Sequence, residues 1–469
     1  MAKVVVLGGG VTGLCTGMML AGQGCAVTVI ERDAGAVPGS PEAAWQAWQR
    51  PGVAQFRQAH YLHPQGSRIL ATRLPDVHDA LGRARAARFD VLSLMPPFIA
   101  DRDPRDGDDR FTTLTARRPV IEYAVASVAR DLLDVRRGTA VAGLLTGPEV
   151  IPGVPHVTGV RLADGTRIAA DLVVDALGRR SPLPGWLTAV GSRPPAEEAE
   201  DSGFIYYTRF FRPADGGAPP AFLTGLIAEF ECFSLLSLPG DADTWSVTLY
   251  LGSRDQALKE LRHPDRWAAL VRSCPLHAHL LDGIPITGVE AMGGIVDRIR
   301  RFVLDGTPTA TGLLSVGDSW ACTNPSRGRG ITIGLMHAAG TADVVREHLG
   351  DPRALALAHD EMTQATVVPW YRDTVESDRA RRAAFDAAAA GGPPAQGAPE
   401  PGLTARLEQA MLYDADLFRA FIEVVALLAP PDEVLARPGL AGKVMAVAAD
   451  HEEFTMPGPS RADVLSLLG

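Results

Sequence analysis

The stretch Lys3–Arg32, KVVVLGGGVTGLCTGMMLAGQGCAVTVIER, limits the fold more tightly than any other part of the chain. Val4–Leu7 is a short, largely β-branched run of the kind that forms a parallel strand buried on both faces. Gly8, Gly10 and Gly13 follow it in G-x-G-x-x-G spacing. The first glycine allows a tight turn, the second lets a pyrophosphate approach the backbone, and the third lets the next helix pack against the strand. Leu14–Gly22 reads as that helix, with free N–H groups at its start for phosphate. Gly24 ends the helix. Ala26–Ile30 reads as a second strand that closes on Glu31. An acid about 20 residues past the glycines is placed to hydrogen-bond a ribose. Strand, glycine turn, helix, strand and acid in this order predict a dinucleotide site that opens an α/β domain. Val4–Ile30 carries no charge, but its glycines interrupt any continuous apolar helix and no small-residue cleavage site precedes Glu31. It does not read as a signal peptide.

A chain of 469 residues has room for two or three domains. A hydrophobic share of 46% and a charged share of 21% fit a soluble globular protein. A net charge of −10 argues against a nucleic-acid partner. No uniformly apolar span is long enough for a membrane helix. The five cysteines, Cys15, Cys25, Cys232, Cys274 and Cys322, are scattered and odd in number, which points to a reducing cytoplasm. Cys15 and Cys25 read as small core residues, and nothing near Cys322 would lower its pKa. Any mechanism that needs a lysine has only Lys3, Lys259 and Lys443 to draw on.

Asp33–His63 is a long Pro- and Gly-rich loop with Trp45 and Trp48, the kind of excursion that often covers a ligand. His60 and His63 have metal-like spacing but no Cys, Asp or Glu beside them to complete a shell, so no metal is expected. Helices are expected over Ser67–Leu74, Val77–Ala87 and Val120–Leu132, the last opened by Arg117-Arg118-Pro119. Val157–Leu162 and Thr166–Ala169 predict a hairpin turned at Asp164-Gly165. Asp171–Ala176 and Gly312–Gly317 read as buried strands. Phe204–Phe211, Ala221–Leu238 and Trp245–Leu251 read as strands with interleaved aromatics, part of an antiparallel sheet inserted at 183–300. Ile331–Leu349 and most of Pro352–Ala390 have helical period, 391–402 reads as a linker, and short helices follow. The expected domains are 1–182 and 301–350 for the nucleotide, 183–300 for substrate, and a helical region 351–469.

Three separated motifs, GGGVTG…ER, DLVVDALGRRS and GDSWACTNPSRGRGITIGL, agree in order. Together they resemble the flavoprotein monooxygenases of the para-hydroxybenzoate hydroxylase fold, over roughly residues 1–350. The most specific is G-D-x(6)-P-x-x-G-x-G before a helix. The resemblance implies an FAD-binding Rossmann-like domain with an inserted β-sheet substrate domain. It assigns Gly8, Gly10 and Gly13 to the pyrophosphate, Glu31 with Arg32 to the adenosine ribose, and Arg118 to the phosphate–ribityl region. Asp318 would bond the ribityl chain, Pro325 would pack by the isoalloxazine, and Gly328, Gly330 and Ile331 would lie at its pyrimidine edge. A helix N-terminus there suits the negative charge of reduced flavin. RPGVAQFRQAH resembles the loop after the second strand in actinobacterial epoxidase-like members, which makes Arg50, Gln55 and His60 the active-site candidates. Where many aromatic hydroxylases carry Ala-Asp-Gly, this chain has Ala176-Leu177-Gly178, with an acid at Asp175 instead. Direct NAD(P)H binding and reduction by a separate flavin reductase therefore both stay open.

The implied activity is FAD-dependent hydroxylation or epoxidation of a largely apolar organic substrate, with O2 activated as a flavin C4a-hydroperoxide. Secondary metabolism is the setting. Such chemistry needs no side-chain nucleophile, and no Ser-His-Asp or Cys-His arrangement stands out. A saturase of the geranylgeranyl reductase type would use the same FAD site. A flavin-dependent halogenase needs a W-x-W-x-I-P stretch and a lysine between flavin and substrate. Here Trp186 is followed by LTAVG, and no lysine falls between Lys3 and Lys259. A non-catalytic flavin sensor would bind FAD and turn nothing over.

Overall fold

The computed structural model describes residues 1–391, 402–452 and 454–469. The linker expected at 391–402 lies, apart from its two ends, outside the described residues. Strand β1 (Lys3–Leu7), helix α1 (Val11–Gly22) and strand β2 (Ala26–Ile30) form where the sequence places them. β1 is the centre of a five-stranded parallel sheet. β2 and then Asp134–Arg136 lie on one side, and Leu172–Asp175 and then Leu313–Ser315 on the other.

Side-chain alternation along β1 explains why four consecutive apolar residues are needed. Val4 and Val6 pack with α1, helix Arg118–Leu132 and helix Gly330–His348. Val5 and Leu7 point the other way, onto a three-stranded antiparallel sheet of Val141–Ile151, Val154–Leu162 and Arg167–Ala169. The expected hairpin turn holds: Gly165 has φ +90°, a value that suits glycine.

A second, six-stranded antiparallel sheet is built around Phe204–Arg212 and Trp245–Gly252. Its odd-numbered side chains, Tyr207, Phe211, Val247, Leu249 and Leu251, form a core with Trp267 of helix Pro264–Arg272 and with Val464 and Leu468 of helix Arg461–Leu468. Its opposite face presents Phe204, Tyr206, Leu236, Leu238 and Tyr250 to Tyr61 of the long loop. The chain enters and leaves this sheet through Ala196–Asp201 and Val296–Arg301, which pair antiparallel. Helices Pro352–Thr366 and Val368–Ala389 follow, and further short helices share a core with Trp320, Ile333 and Trp370.

Three elements differ from expectation. The helix expected over Val77–Ala87 is Pro75–Arg83 and stops there; Arg85 has φ +58°, and Ala87–Asp90 pairs as a strand with Thr112–Thr115. That partner is remote in sequence, so no local pattern announces it. Within Ala221–Leu238 only Ile227–Glu229 and Ser234–Pro239 are strands. The long loop carries a short helix, Pro41–Ala47, capped by the Ser40 side chain.

α1 and Gly330–His348 lie against each other because Thr12 fits over two glycines. A Cβ on Gly334 would stand 2.5 Å from Thr12 Oγ1, and one on Gly317 would stand 3.0 Å from Thr12 Cγ2. Gly334→Ala should therefore destabilise the protein by about 1–2 kcal/mol through overpacking, despite the better helix propensity of alanine. Thr12→Ala in the same chain removes the colliding atoms and should recover most of that loss. Denaturant midpoints of the single and double variants check this; an unchanged midpoint for Gly334→Ala, or no recovery in the double variant, contradicts it.

Candidate cofactor and substrate site

The predicted glycines divide by what surrounds them. Gly8 has φ +105°, and a Cβ there would meet the Ala176 carbonyl oxygen at 2.4 Å; one on Gly13 would meet the Gly8 carbonyl oxygen at 2.0 Å. Both are required by packing. Gly10 faces open space, with nothing within 4 Å of an added Cβ, and the helix it precedes has no side-chain cap. Gly330 repeats this pattern: open space, and the start of an uncapped helix. Gly328, at φ +65°, closes the short turn Pro325–Arg327 that leads into it. Two helix N-termini thus keep N–H groups free beside space, an arrangement that favours anions.

Asp318 lies next to Gly330 on the wall of a small interior cavity shared with Gly317, Gly334 and Tyr371. Its carboxylate takes no hydrogen bond or ion pair from any described residue. Burial raises its pKa, while Arg118, Arg179 and Arg298 act in the opposite direction. The turn below is fixed: the Gly317 N–H donates to His337 Nδ1 at 3.1 Å, and Ser319 Oγ accepts the Gly178 N–H at 2.7 Å. Ser319 also donates to Asp175, which accepts from the Leu177 N–H and from Ser181 Oγ at 2.6 Å. Asp175 is fully enclosed and joins the central motif to the Gly-Asp turn.

Glu31, Arg50 and Arg118 belong to one buried ionic cluster. Arg50 Nη2 contacts Glu31 Oε2 at 2.8 Å, Nε contacts Asp33 at 3.1 Å and Nη1 contacts Glu122 Oε2 at 2.6 Å. Nη2 also donates to the Gly9 carbonyl at 3.2 Å. Glu31 accepts the N–H groups of Gly9 and Asp33 as well. Glu122 Oε1 receives Arg118 Nε at 2.8 Å, and Arg118 Nη1 lies 3.3 Å from His60 Nε2. His60 Nδ1 lies 3.0 Å from the Gln58 carbonyl, so Nδ1 carries the proton and Nε2 accepts from Arg118. Burial, reinforced by Arg118, lowers the His60 pKa to about 3, and the imidazole is neutral.

The remaining predicted residues are less closely engaged. Gln55 is half-buried in the turn before Phe56, where its carbonyl accepts the Gln58 N–H. It is Gln58 whose side chain reaches the six-stranded sheet, accepting from Thr208 Oγ1 at 3.2 Å. Arg32 is exposed. Ile331 is buried in the core beneath the helix start, and Pro325 is half-buried at the head of its turn. His63 Nε2 lies 3.0 Å from the Arg327 carbonyl.

Sequence reasoning missed Glu122, although its position four residues after Arg118 is a helical ion-pair signal. It also missed a buried polar knot at the Pro325 turn. The Asn324 N–H donates to Asp297 at 2.6 Å, Asn324 Oδ1 accepts the Tyr206 hydroxyl at 2.8 Å, and Asp378 accepts from Asn324 and Ser326. Burial lifts Asp378 to about 6 and Asp297 to about 7. Nothing local in the sequence marks these residues. Between the turn and the aromatic face of the sheet, the Tyr61 hydroxyl and His63 Nδ1 are buried without hydrogen-bond partners among the described residues. No activated thiol is present among the described residues: burial pushes Cys15 up to about 12 and Cys322 higher still.

The family model for pyridine nucleotide-disulphide oxidoreductases matches residues 3–51, the β1–α1–β2 unit and the loop to Arg50. Protein Rv3254 of Mycobacterium tuberculosis (strain ATCC 25618 / H37Rv) is 29% identical over 362 residues, 71% of each chain. Among solved structures, PqsL, a probable FAD-dependent monooxygenase from Pseudomonas aeruginosa, superposes with a TM-score of 0.58 at 17% identity, over 82% of this chain and 98% of that one. A single-site variant of Klebsiella pneumoniae HpxO, complexed with FAD, gives a TM-score of 0.56 at 13% identity, over 95% and 99%. A five-stranded parallel sheet, an antiparallel aromatic sheet and the three glycine-bearing motifs thus come together in one architecture: this chain has the para-hydroxybenzoate hydroxylase fold found in FAD-dependent monooxygenases.

Proposed function

We propose that the protein is an FAD-dependent monooxygenase that hydroxylates or epoxidises a largely apolar organic substrate of secondary metabolism. One atom of O2 goes to the substrate and the other to water, with two electrons from NAD(P)H, taken directly or through a separate flavin reductase. The observation that carries this reading is the pair of uncapped helix N-termini at Gly10 and Gly330, each beside open space, with the unpartnered Asp318 carboxylate at the second. A diphosphate fits the first. An electron-poor ring that gains negative charge on reduction fits the second. Bound FAD would supply the activation and transfer of oxygen.

The residues of the chain bind, orient and exclude water. Gly10 and the start of α1 would take the pyrophosphate. Glu31 keeps one acceptor position on Oε1 for a ribose hydroxyl. Asp318 would accept from the ribityl chain, with Arg118 nearby as a cation. The aromatic face of Phe204, Tyr206 and Tyr250, closed by Tyr61, offers an apolar wall against the Gly328–Gly330 turn. Such a wall keeps water from the reacting centre and holds the substrate in place. A reducing cytoplasm suits the five free thiols.

The purified protein should be yellow or take up FAD, and with substrate and a suitable reductant it should consume O2 and yield a product heavier by one oxygen atom. Absorption spectra before and after NADH or NADPH in air, with an oxygen electrode, test this. A colourless protein that gains no FAD on dialysis removes the reading, and NAD(P)H oxidation that reduces a C=C bond without oxygen uptake favours a saturase.

Gly330→Val should fill the space at the second helix start. FAD should still bind through its ADP half, while the reduced form loses about 1–2 kcal/mol of helix-terminus stabilisation and the potential falls. Spectroelectrochemistry reads this directly; a lower melting temperature with an unchanged potential would mean that Gly330 only shapes the helix.

His60 generates a pH prediction. Its folded pKa, about 3, lies below the ordinary value near 6.5. The stability it contributes is complete above pH 6.5 and is lost as pH falls toward 3, because the unfolded chain binds the proton first. His60→Gln should therefore lose less stability than the wild type between pH 7 and pH 4.5, as read by urea unfolding. Equal losses would show that His60 is already charged in the folded state.

A further inference from the structure

The turn that precedes the Gly330 helix is held from outside the nucleotide-binding sheet. Helix Val368–Ala389, beyond the span of the motif resemblance, turns one face to it. Asp378 Oδ1 accepts from Ser326 Oγ at 2.6 Å and Oδ2 from Asn324 Nδ2 at 3.0 Å, so a single carboxylate grips the chain on both sides of Pro325. Ser377 Oγ accepts from Arg327 Nη2 at 2.5 Å, and Asp373 pairs with Arg329, whose guanidinium lies over the Trp370 ring. From the opposite side His63 holds the Arg327 carbonyl, and Tyr206 of the substrate sheet holds Asn324.

Residues 324–329 therefore spend much of their side-chain hydrogen-bonding capacity on protein, while the helix start at Gly330 stays open. Asp378 is buried, 5% exposed, whereas Asp373 and Ser377 of the same helix are half-buried, and among the described residues it alone bridges two residues of the turn. Its partner Asn324 is held on two other sides, its N–H by Asp297 and its Oδ1 by the Tyr206 hydroxyl. Loss of the carboxylate therefore releases the turn from the helix at both Asn324 and Ser326.

We infer that Asp378 is a positioning residue for the ring end of the cofactor site: its carboxylate fixes the Asn324–Arg329 turn and, through it, the place of the free N–H groups at Gly330. The inference rests on the FAD reading above. It also assigns a function to the helix Val368–Ala389 that the three motifs do not cover. The ADP half of the cofactor would be held elsewhere, by Gly10 and the start of α1, so the effect of Asp378 belongs to the isoalloxazine half alone.

Separate titrations with FAD and with ADP distinguish this role from a general contribution to folding. In Asp378→Ala, Ser326 Oγ and Asn324 Nδ2 both lose their acceptor. The Kd for FAD should rise at least tenfold, while the Kd for ADP stays within twofold of wild type. Asp378→Asn keeps an amide oxygen for Asn324 Nδ2 and can turn its amide nitrogen to the Ser326 hydroxyl, which also accepts, and should bring the FAD Kd back to within about threefold. Ser326→Ala removes one of the two grips without touching Asp378 and should weaken FAD binding about threefold, again sparing ADP. This variant keeps the test open if Asp378→Ala does not fold. Equal weakening of FAD and ADP, or unchanged FAD binding in both Asp378→Ala and Ser326→Ala, overturns the inference. If the wild-type protein binds neither nucleotide, the FAD reading itself fails and takes this inference with it.

Discussion

The guanidinium of Arg50 joins parts of the chain that would otherwise repel. Glu31 ends β2, Asp33 begins the long loop, and Glu122 lies on helix Arg118–Leu132. All three carboxylates are buried, and all three contact Arg50. Removing Arg50 leaves Glu31 and Asp33 without an ion-pair partner among the described residues, which costs about 3–5 kcal/mol of uncompensated buried charge. The same side chain reaches the Gly9 carbonyl, so the glycine turn takes its shape partly from a residue about forty positions later. Arg118, tied to Glu122, then orients His60. What looks like four separate motif residues in the sequence is one electrostatic unit.

The half built on the parallel sheet was legible because its constraints are local. Val4–Leu7 had to be a strand covered on both faces, and Gly8 and Gly13 had to be glycines, as the backbone contacts at 2.4 Å and 2.0 Å confirm. The Gly-Asp stretch likewise announced a turn and a helix start. The residues that were not legible are those whose partners come from far away. Asp378 meets Ser326 across 52 residues, and Thr208 meets Gln58 across 150. The strand Ala87–Asp90 exists only because Thr112–Thr115 lies beside it. Gln55 and Gln58 illustrate the limit of motif reading: both fall in the same loop, and only geometry tells which side chain reaches the sheet.

The two halves of the molecule are locked by contacts with direction as well as apolar area. Arg117 meets Asp241 through two guanidinium nitrogens at 3.0 Å and 2.6 Å and through its backbone N–H at 2.9 Å. Its guanidinium also lies over Trp45, which in turn packs edge-on to Phe210 of the sheet. Arg117 immediately precedes Arg118, so the join between the six-stranded sheet and the domain built on the parallel sheet sits one residue from the cationic side of the candidate site. A planar, bidentate pair of this kind fixes angle as well as distance. A chemistry that depends on where a substrate lies relative to a ring needs that kind of join.

The helix Arg461–Leu468 introduces a constraint of timing. Val464 and Leu468 complete the core beneath the aromatic sheet, Arg461 pairs with Asp255, and Arg266 donates to the Leu467 carbonyl. The helix packs on Ala257–Arg262 and on helix Pro264–Arg272, the layer that itself covers the sheet nearly 200 residues earlier in the chain. During synthesis from the N-terminus, that layer emerges with part of its apolar surface uncovered until the last helix arrives. At ordinary elongation rates of about 5–20 residues per second, that interval lasts about 10–40 seconds. The sheet is thus a middle segment in sequence whose core is completed late, and the uncovered part must be kept from other chains in the meantime.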